Sequence, residues 1–183
     1  MSRRREVREH APMALHHVDV TAVRDVTPRM RRITVTGPSL AHFVDDGPDQ
    51  RFKLFLPRPG QDRPPVTAAE DWYADWQALS DDVRPVMRTY TIRAARPLHS
   101  EVDFDIVLHG DSGPGSAWAE RVQLGDRVAV FGAYAEYCPP EDADWQLLVG
   151  DETALPAIAA AAERLPAGAY ARIIVEVVET AER

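Results

Sequence analysis

Apolar and polar residues alternate with period two along much of the chain, the pattern of half-buried β-strands. Residues 16–26 place Val18, Val20 and Ala22 on one face. Met30–Thr36 repeats the pattern through Ile33 and Val35, and Gly37-Pro38 ends it. Phe52, Leu54 and Leu56 predict the next strand, closed by Pro57. Tyr90 and Ile92 share a face of the following strand. Val102, Phe104, Ile106 and Leu108 then alternate with Asp103, Asp105, Val107 and His109, and Val128 and Val130 pair within 127–131. Six strands without regular intervening helices predict an antiparallel Greek-key β-barrel.

The period then changes. Gln146–Val149 reads as a short strand, Ala154–Leu165 as an alanine-rich helix with Pro156 in its first turn, and Arg172–Val178 as a branched apolar strand. Strand, helix, strand is a βαβ unit, and one such unit cannot cover both faces of a parallel sheet. The expected organisation is a disordered basic tail over 1–14, a barrel over 15–142, and the first unit of a truncated α/β domain over 143–183. Between the third and fourth strands, 57–87 form a long insertion carrying Pro57, Pro59, Pro64, Pro65 and Pro85. Trp72, Tyr73 and Trp76 predict a short helix there, which either packs the loop against itself or covers the adenine side of a ligand.

Composition narrows the function classes. A net charge of −8 argues against nucleic acid as the main partner. Hydrophobic residues make up 45% of the chain, yet none of its apolar runs approaches the ~20 residues of a membrane span. No apolar segment follows the arginine-rich start, so it does not read as a secretory signal. Cys138 is the lone cysteine, which excludes an intrachain disulfide and a cysteine-based metal site and points to the cytoplasm. Lys53 is the sole lysine, so positive charge is almost all arginine, which suits phosphate and carboxylate.

Three motifs carry chemistry. Arg88-Thr89-Tyr90-Thr91-Ile92-Arg93 sets two cations, an aromatic ring and hydroxyls on one strand. That combination suits a flavin dinucleotide: Arg88 for pyrophosphate, Tyr90 for stacking on the ring, Thr91 for a hydrogen bond near N5. An ordinary barrel strand with a core tyrosine and solvated arginines has the same pattern. His109-Gly110 through Gly113-Pro114-Gly115-Ser116 ends a strand in a glycine turn that opens a helix. Its amides and dipole favour an anion. Gly115 permits close approach, Ser116 can cap the helix, and His109 turns off the core face beside the turn. Gly150-Asp151-Glu152-Thr153-Ala154-Leu155-Pro156 follows a strand and opens a helix, as plain capping or as a seat for a nicotinamide dinucleotide, although it lacks the Gly-x-Gly-x-x-Gly fingerprint. Asp103 and Asp105 share a strand face and read as solvated charge. His10, His16, His17, His42 and His99 have no metal-ligand spacing and read as surface residues, so no metal site is expected.

In these motifs the sequence resembles the siderophore-interacting protein family, flavin-dependent ferric-siderophore reductases within the ferredoxin reductase-like group. Arg88, Tyr90, Thr91 and Arg93 match its Arg-x-Tyr-Thr-x-Arg run. His109, Gly110, Gly113, Pro114, Ser116, Trp118 and Ala119 match its His-Gly…Gly-Pro-x-Ser-x-Trp-Ala stretch, and Gly150–Ile158 match the block that opens its reductase domain. The resemblance implies an FAD-binding barrel followed by an NAD(P)H-binding domain, with hydride passing from nicotinamide to flavin and electrons then to Fe(III) in a bound siderophore. Ferrous iron binds such chelators more weakly, so reduction releases it. The implied FAD contacts are Arg88, Tyr90, Thr91, Arg93, His109, Gly113, Gly115, Ser116, Ala117 and Trp118. Asp151, Thr153 and Ala154 are the implied nicotinamide contacts. Family members continue beyond the end of this chain. They also commonly carry Gly-Pro and a basic or small residue where this chain has Tyr134-Ala135-Glu136-Tyr137, and Glu136 near a phosphate would oppose FAD. Two other readings stay open: a flavin reductase with another electron acceptor, and a flavin- or siderophore-binding module without NAD(P)H turnover.

Overall fold

The computed structural model describes residues 13–110, 113–140 and 142–182. The basic tail expected over 1–14 falls mostly outside them. Among the described residues, six strands close into an antiparallel barrel: β1 (Leu15–Thr27), β2 (Met30–Thr36), β3 (Arg51–Leu56), β4 (Val86–Arg96), β5 (Glu101–Val107) and β6 (Arg127–Tyr134). Their order around the barrel is β1-β2-β5-β4-β3-β6, the crossing connection of a Greek key. Helix α1 (Trp72–Ala78) lies in the long insertion, and α2 (Pro114–Arg121) follows β5. A two-stranded parallel sheet, β7 (Gln146–Asp151) and β8 (Ala171–Glu176), flanks α3 (Leu155–Glu163). No helix of the described residues is long and apolar enough to cross a membrane.

The alternating residues fill the barrel. Val18, Val20, Ile33, Val35, Phe52, Leu54, Ile92, Val102, Phe104, Ile106, Val128 and Val130 form one buried cluster, with Tyr90 and Trp118 packed against it. Ala22 departs from the expected face. The pairing of β1 with β2 shifts between Val20 and Ala22, so the extra residue of a bulge reverses the alternation and Val23 packs on the core instead.

The outer surface is less solvated than the sequence predicts. Asp103 and Asp105 are both buried, which corrects their reading as solvated charge. Asp105 takes two hydrogen bonds from Arg32, at 2.7 and 2.8 Å. Asp103 takes two from Arg96, at 2.7 and 2.6 Å, and one from Thr34 at 2.8 Å. Burial alone would raise the Asp103 pKa, but the hydrogen bonds from Arg96 and Thr34 and the nearby guanidinium charges outweigh it and hold the carboxyl below its ordinary range. The same contacts raise the pKa of Arg96. His16 is likewise buried rather than on the surface, with Nδ1 3.0 Å from Ser39 Oγ and its ring against Phe43.

The insertion packs on the outside of the barrel. Trp72 meets Phe131 and Phe55 with ring centroids 4.5 and 6.1 Å apart, and Trp76 donates to the Pro85 carbonyl at 3.0 Å. These rings enclose a small aromatic cavity of about 170 Å³ whose lining includes none of the residues of the Arg88 run. The expected short helix is thus present, and its rings pack on Phe55 and Phe131 of the barrel.

In the parallel sheet, Leu148 and Val175 pack against Ala154, Ile158 and Ala161 of α3. The opposite face carries exposed Leu147, Val149 and Ile174. Gly150 sits where β7 meets α3: a Cβ there would stand 2.5 Å from the Ala154 Cβ, so the close approach requires glycine.

Candidate functional site

One cavity of about 360 Å³ draws its walls from all three motifs. Arg88, Thr89, Tyr90 and Thr91 come from β4, and Arg51 from the adjoining β3. His109, Gly113, Gly115 and Ser116 come from the turn into α2, and Thr153 and Pro156 from the start of α3. Its size falls in the range of ligand clefts.

Tyr90 is half-buried. Its ring lies against Phe104 with centroids 6.1 Å apart and near-parallel planes, and against Phe52 at 6.5 Å. Burial raises its pKa, with Arg88 opposing. The phenol oxygen reaches α2 so closely that a Cβ on Gly115 would lie 2.1 Å from it. The same Cβ would stand 3.7 Å from Cγ of Arg88, so the strand and the helix N-terminus share one corner of the cavity. Gly115→Ala is expected to push the Tyr90 ring aside and cost about 1–3 kcal/mol, as overpacking does. Urea denaturation measures the cost.

The helix start explains the donors in that corner. Pro114 occupies the first helical position and has no N–H, and the first intrahelical bond is Ala117 N–H to the Gly113 carbonyl at 2.9 Å. The first-turn amides of Gly115 and Ser116 thus have no acceptor within the helix. Gly113 is the cap residue, so Ser116 sits inside the first turn and is not the cap. Its buried hydroxyl oxygen accepts the backbone N–H of His109 at 2.9 Å, which ties the strand end to the helix.

Two arginines, Arg88 and Arg51, line the cavity together with Asp105, whose carboxylate is paired with Arg32. Arg88 is exposed and donates to the Met87 carbonyl at 2.8 Å, with no carboxylate partner among the described residues. Arg51 was not singled out by the sequence. Its guanidinium lies over the Tyr134 ring at 5.3 Å and pairs with Glu136, and its buried Nε has no hydrogen-bond partner among the described residues. Register is the signal that finds it, since Arg51 pairs with Thr91 across β3 and β4. Glu136 is therefore spent on Arg51 and is not part of the cavity wall.

Several expected contacts lie elsewhere. Arg93 keeps the outward face that alternation from the core residue Ile92 gives it, but its side chain lies beside Asp105 and reaches toward α3, outside the cavity lining. Its guanidinium forms two bonds to Glu163, at 2.8 and 2.5 Å. Trp118 packs on the barrel core, and Ala117 is buried outside the cavity lining. Asp151 closes a local turn, accepting from the backbone N–H and the hydroxyl of Thr153 at 2.9 and 2.6 Å. Those hydrogen bonds lower its pKa. Ala154 packs on the parallel sheet, which leaves Thr153 as the member of its group that lines the cavity.

Residues 19–137 match the model of the siderophore-interacting FAD-binding domain, and residues 143–183 match that of the siderophore-interacting protein. The chain belongs to the siderophore-interacting protein family. It is 31% identical over 160 residues to ferric vibriobactin reductase ViuB of Vibrio cholerae, covering 87% of this chain and 58% of that protein. It is 32% identical over 146 residues to an NADPH-dependent ferric-chelate reductase of Escherichia coli, covering 80% of this chain and 55% of that one. The siderophore-interacting protein SipS from Aeromonas hydrophila superposes with a TM-score of 0.74 at 38% identity, over 92% of this chain and 61% of that chain. The chain thus spans a little over half the length of these relatives.

Proposed function

We propose that this chain is the flavin-binding part of an NAD(P)H-linked ferric-siderophore reductase, with FAD as its cofactor. The observation that carries the reading is the meeting of Arg88, Tyr90 and the first-turn amides of α2 in one cavity. The donor set fits the group. Among the described residues, a cation without a carboxylate partner and helix amides suit a diphosphate, the Nε of Arg51 without a hydrogen-bond partner adds a donor, and the glycine at 115 leaves room that a side chain would fill.

In this reading Arg88 and Ser116 hold phosphate, Tyr90 presents its ring to the flavin, and Thr91 stands near the reactive edge. Thr153, at the start of α3, faces the nicotinamide dinucleotide across the cavity. Bound FAD supplies the step between a two-electron nicotinamide donor and a one-electron ferric acceptor. The residues bind, orient and exclude water, and no acid–base residue is required. Residues 15–142 form the FAD-binding unit and 143–183 the opening of the nicotinamide-binding part. The substrate class is a ferric siderophore, a reading supported by the similarity to ferric vibriobactin reductase and to the ferric-chelate reductase.

Anaerobic addition of NADPH to the FAD-loaded protein tests the reading. Bleaching of the flavin band, followed by its return on adding a ferric chelate, is the expected result. FAD retained without bleaching favours a flavin-binding module instead, and a protein that takes up no FAD sinks the proposal.

A further inference from the structure

Helix α3 has two working faces. Ala154, Ile158 and Ala161 point to the parallel sheet, where they pack with Leu148 and Val175. Helical spacing puts Pro156, Ala160, Glu163 and Arg164 on the opposite side, and α3 lies against β4 of the barrel. That stripe changes character along its length. Pro156 and Ala160 are buried small residues with no directional bond to offer. At its end stand two charges, each gripped by the barrel. Glu163 takes the two bonds from Arg93, itself backed by Asp105 at 3.9 Å. Arg164 gives two bonds to Asp45 at 2.8 and 2.7 Å. The Arg93 contact holds Glu163 below its ordinary carboxylate range. The polar grip therefore lies at the C-terminal end of α3, while the N-terminal end brings Thr153 and Pro156 to the cavity.

We propose that Arg93 and Arg164 are positioning residues: through Glu163 and Asp45 they clamp the C-terminal end of α3 to the barrel and so hold Thr153 and Pro156 over the flavin cavity. This assigns the second arginine of the Arg88 run to the seating of the α/β unit, and it rests on the reading of the cavity as the FAD site. A sliding contact of proline and alanine fixes no register, whereas two forked ion pairs fix both distance and rotation.

The test uses a graded series at Glu163, whose side chain is 60% exposed, so its replacement is expected to leave the fold intact. Glu163→Gln keeps a hydrogen-bond acceptor and loses the charge, and Glu163→Arg sets a like charge against Arg93. Amide hydrogen exchange of residues 151–164 is measured without FAD, then the dissociation rate and visible circular dichroism of bound FAD. Exchange in this segment is expected to rise in the order wild type, Gln, Arg, with the barrel strands unchanged. FAD dissociation should accelerate in the same order by about two- to five-fold, the scale of a partly exposed ion pair. A merely structural pair would leave the flavin spectrum unaltered. Unchanged exchange in both variants overturns the clamp. Raised exchange with unchanged flavin dissociation and dichroism overturns the positioning role. Failure of the wild-type protein to bind FAD overturns the cavity reading, and the exchange arm then still reports whether the clamp exists.

Discussion

Arg88→Ala is expected to weaken FAD binding by about 10- to 100-fold, the range for hydrogen bonds to a charged group. The side chain is exposed and, among the described residues, bonds only its neighbour's carbonyl, so the barrel has little to lose from its removal. Far-ultraviolet circular dichroism and the urea midpoint should match wild type while a fluorescence titration with FAD shows the loss. Arg88→Lys should recover part of the affinity, because an ammonium restores the charge but not the planar fork. An alanine variant that binds FAD as tightly as wild type would remove the diphosphate from this corner of the cavity.

The largest effect on stability is expected from Arg32→Met. It removes the forked partner of Asp105, whose side chain is only 5% exposed. Breaking a buried pair from one side typically costs about 3–5 kcal/mol, and the lower end applies because Arg93 stays 3.9 Å from Asp105. The double variant Arg32→Met with Asp105→Leu should regain most of that loss, since an apolar pair strands no charge. Urea unfolding of the two single variants and the double measures the coupling. A single variant as stable as wild type would mean that water reaches Asp105.

The barrel was readable because its core follows period two almost without interruption, from Val18 to Val130. The Greek-key order followed from strand count and the lack of helices between strands. Bulges were not readable: the shift after Val20 turned Ala22 off the core, and the shift after Ile92 set Ala94 opposite Asp103 and Ala95 on the core. No residue type announces such an insertion, and one is enough to reverse a face. Asp103 and Asp105 misled for a related reason. Their alternation correctly set them outside the barrel, but arginines from β2 and β4 cover that outside. In the site, Arg88, Tyr90 and the glycine turn were legible from composition on adjoining elements. Arg51 was not, because its place in the cavity comes from pairing with a strand 40 residues away (Thr91 opposite it).

The barrel's closure sets an order of events during synthesis. β1 pairs with β6, Leu15 against Phe131, and β3 also pairs with β6. A nascent chain therefore holds the edges of β1 and β3 unsatisfied until β6 has left the ribosome. Such distant pairings fold slowly and leave strand edges open to other chains in the meantime. Truncations that end before Arg127 should accumulate in inclusion bodies, and those that include Tyr134 should not.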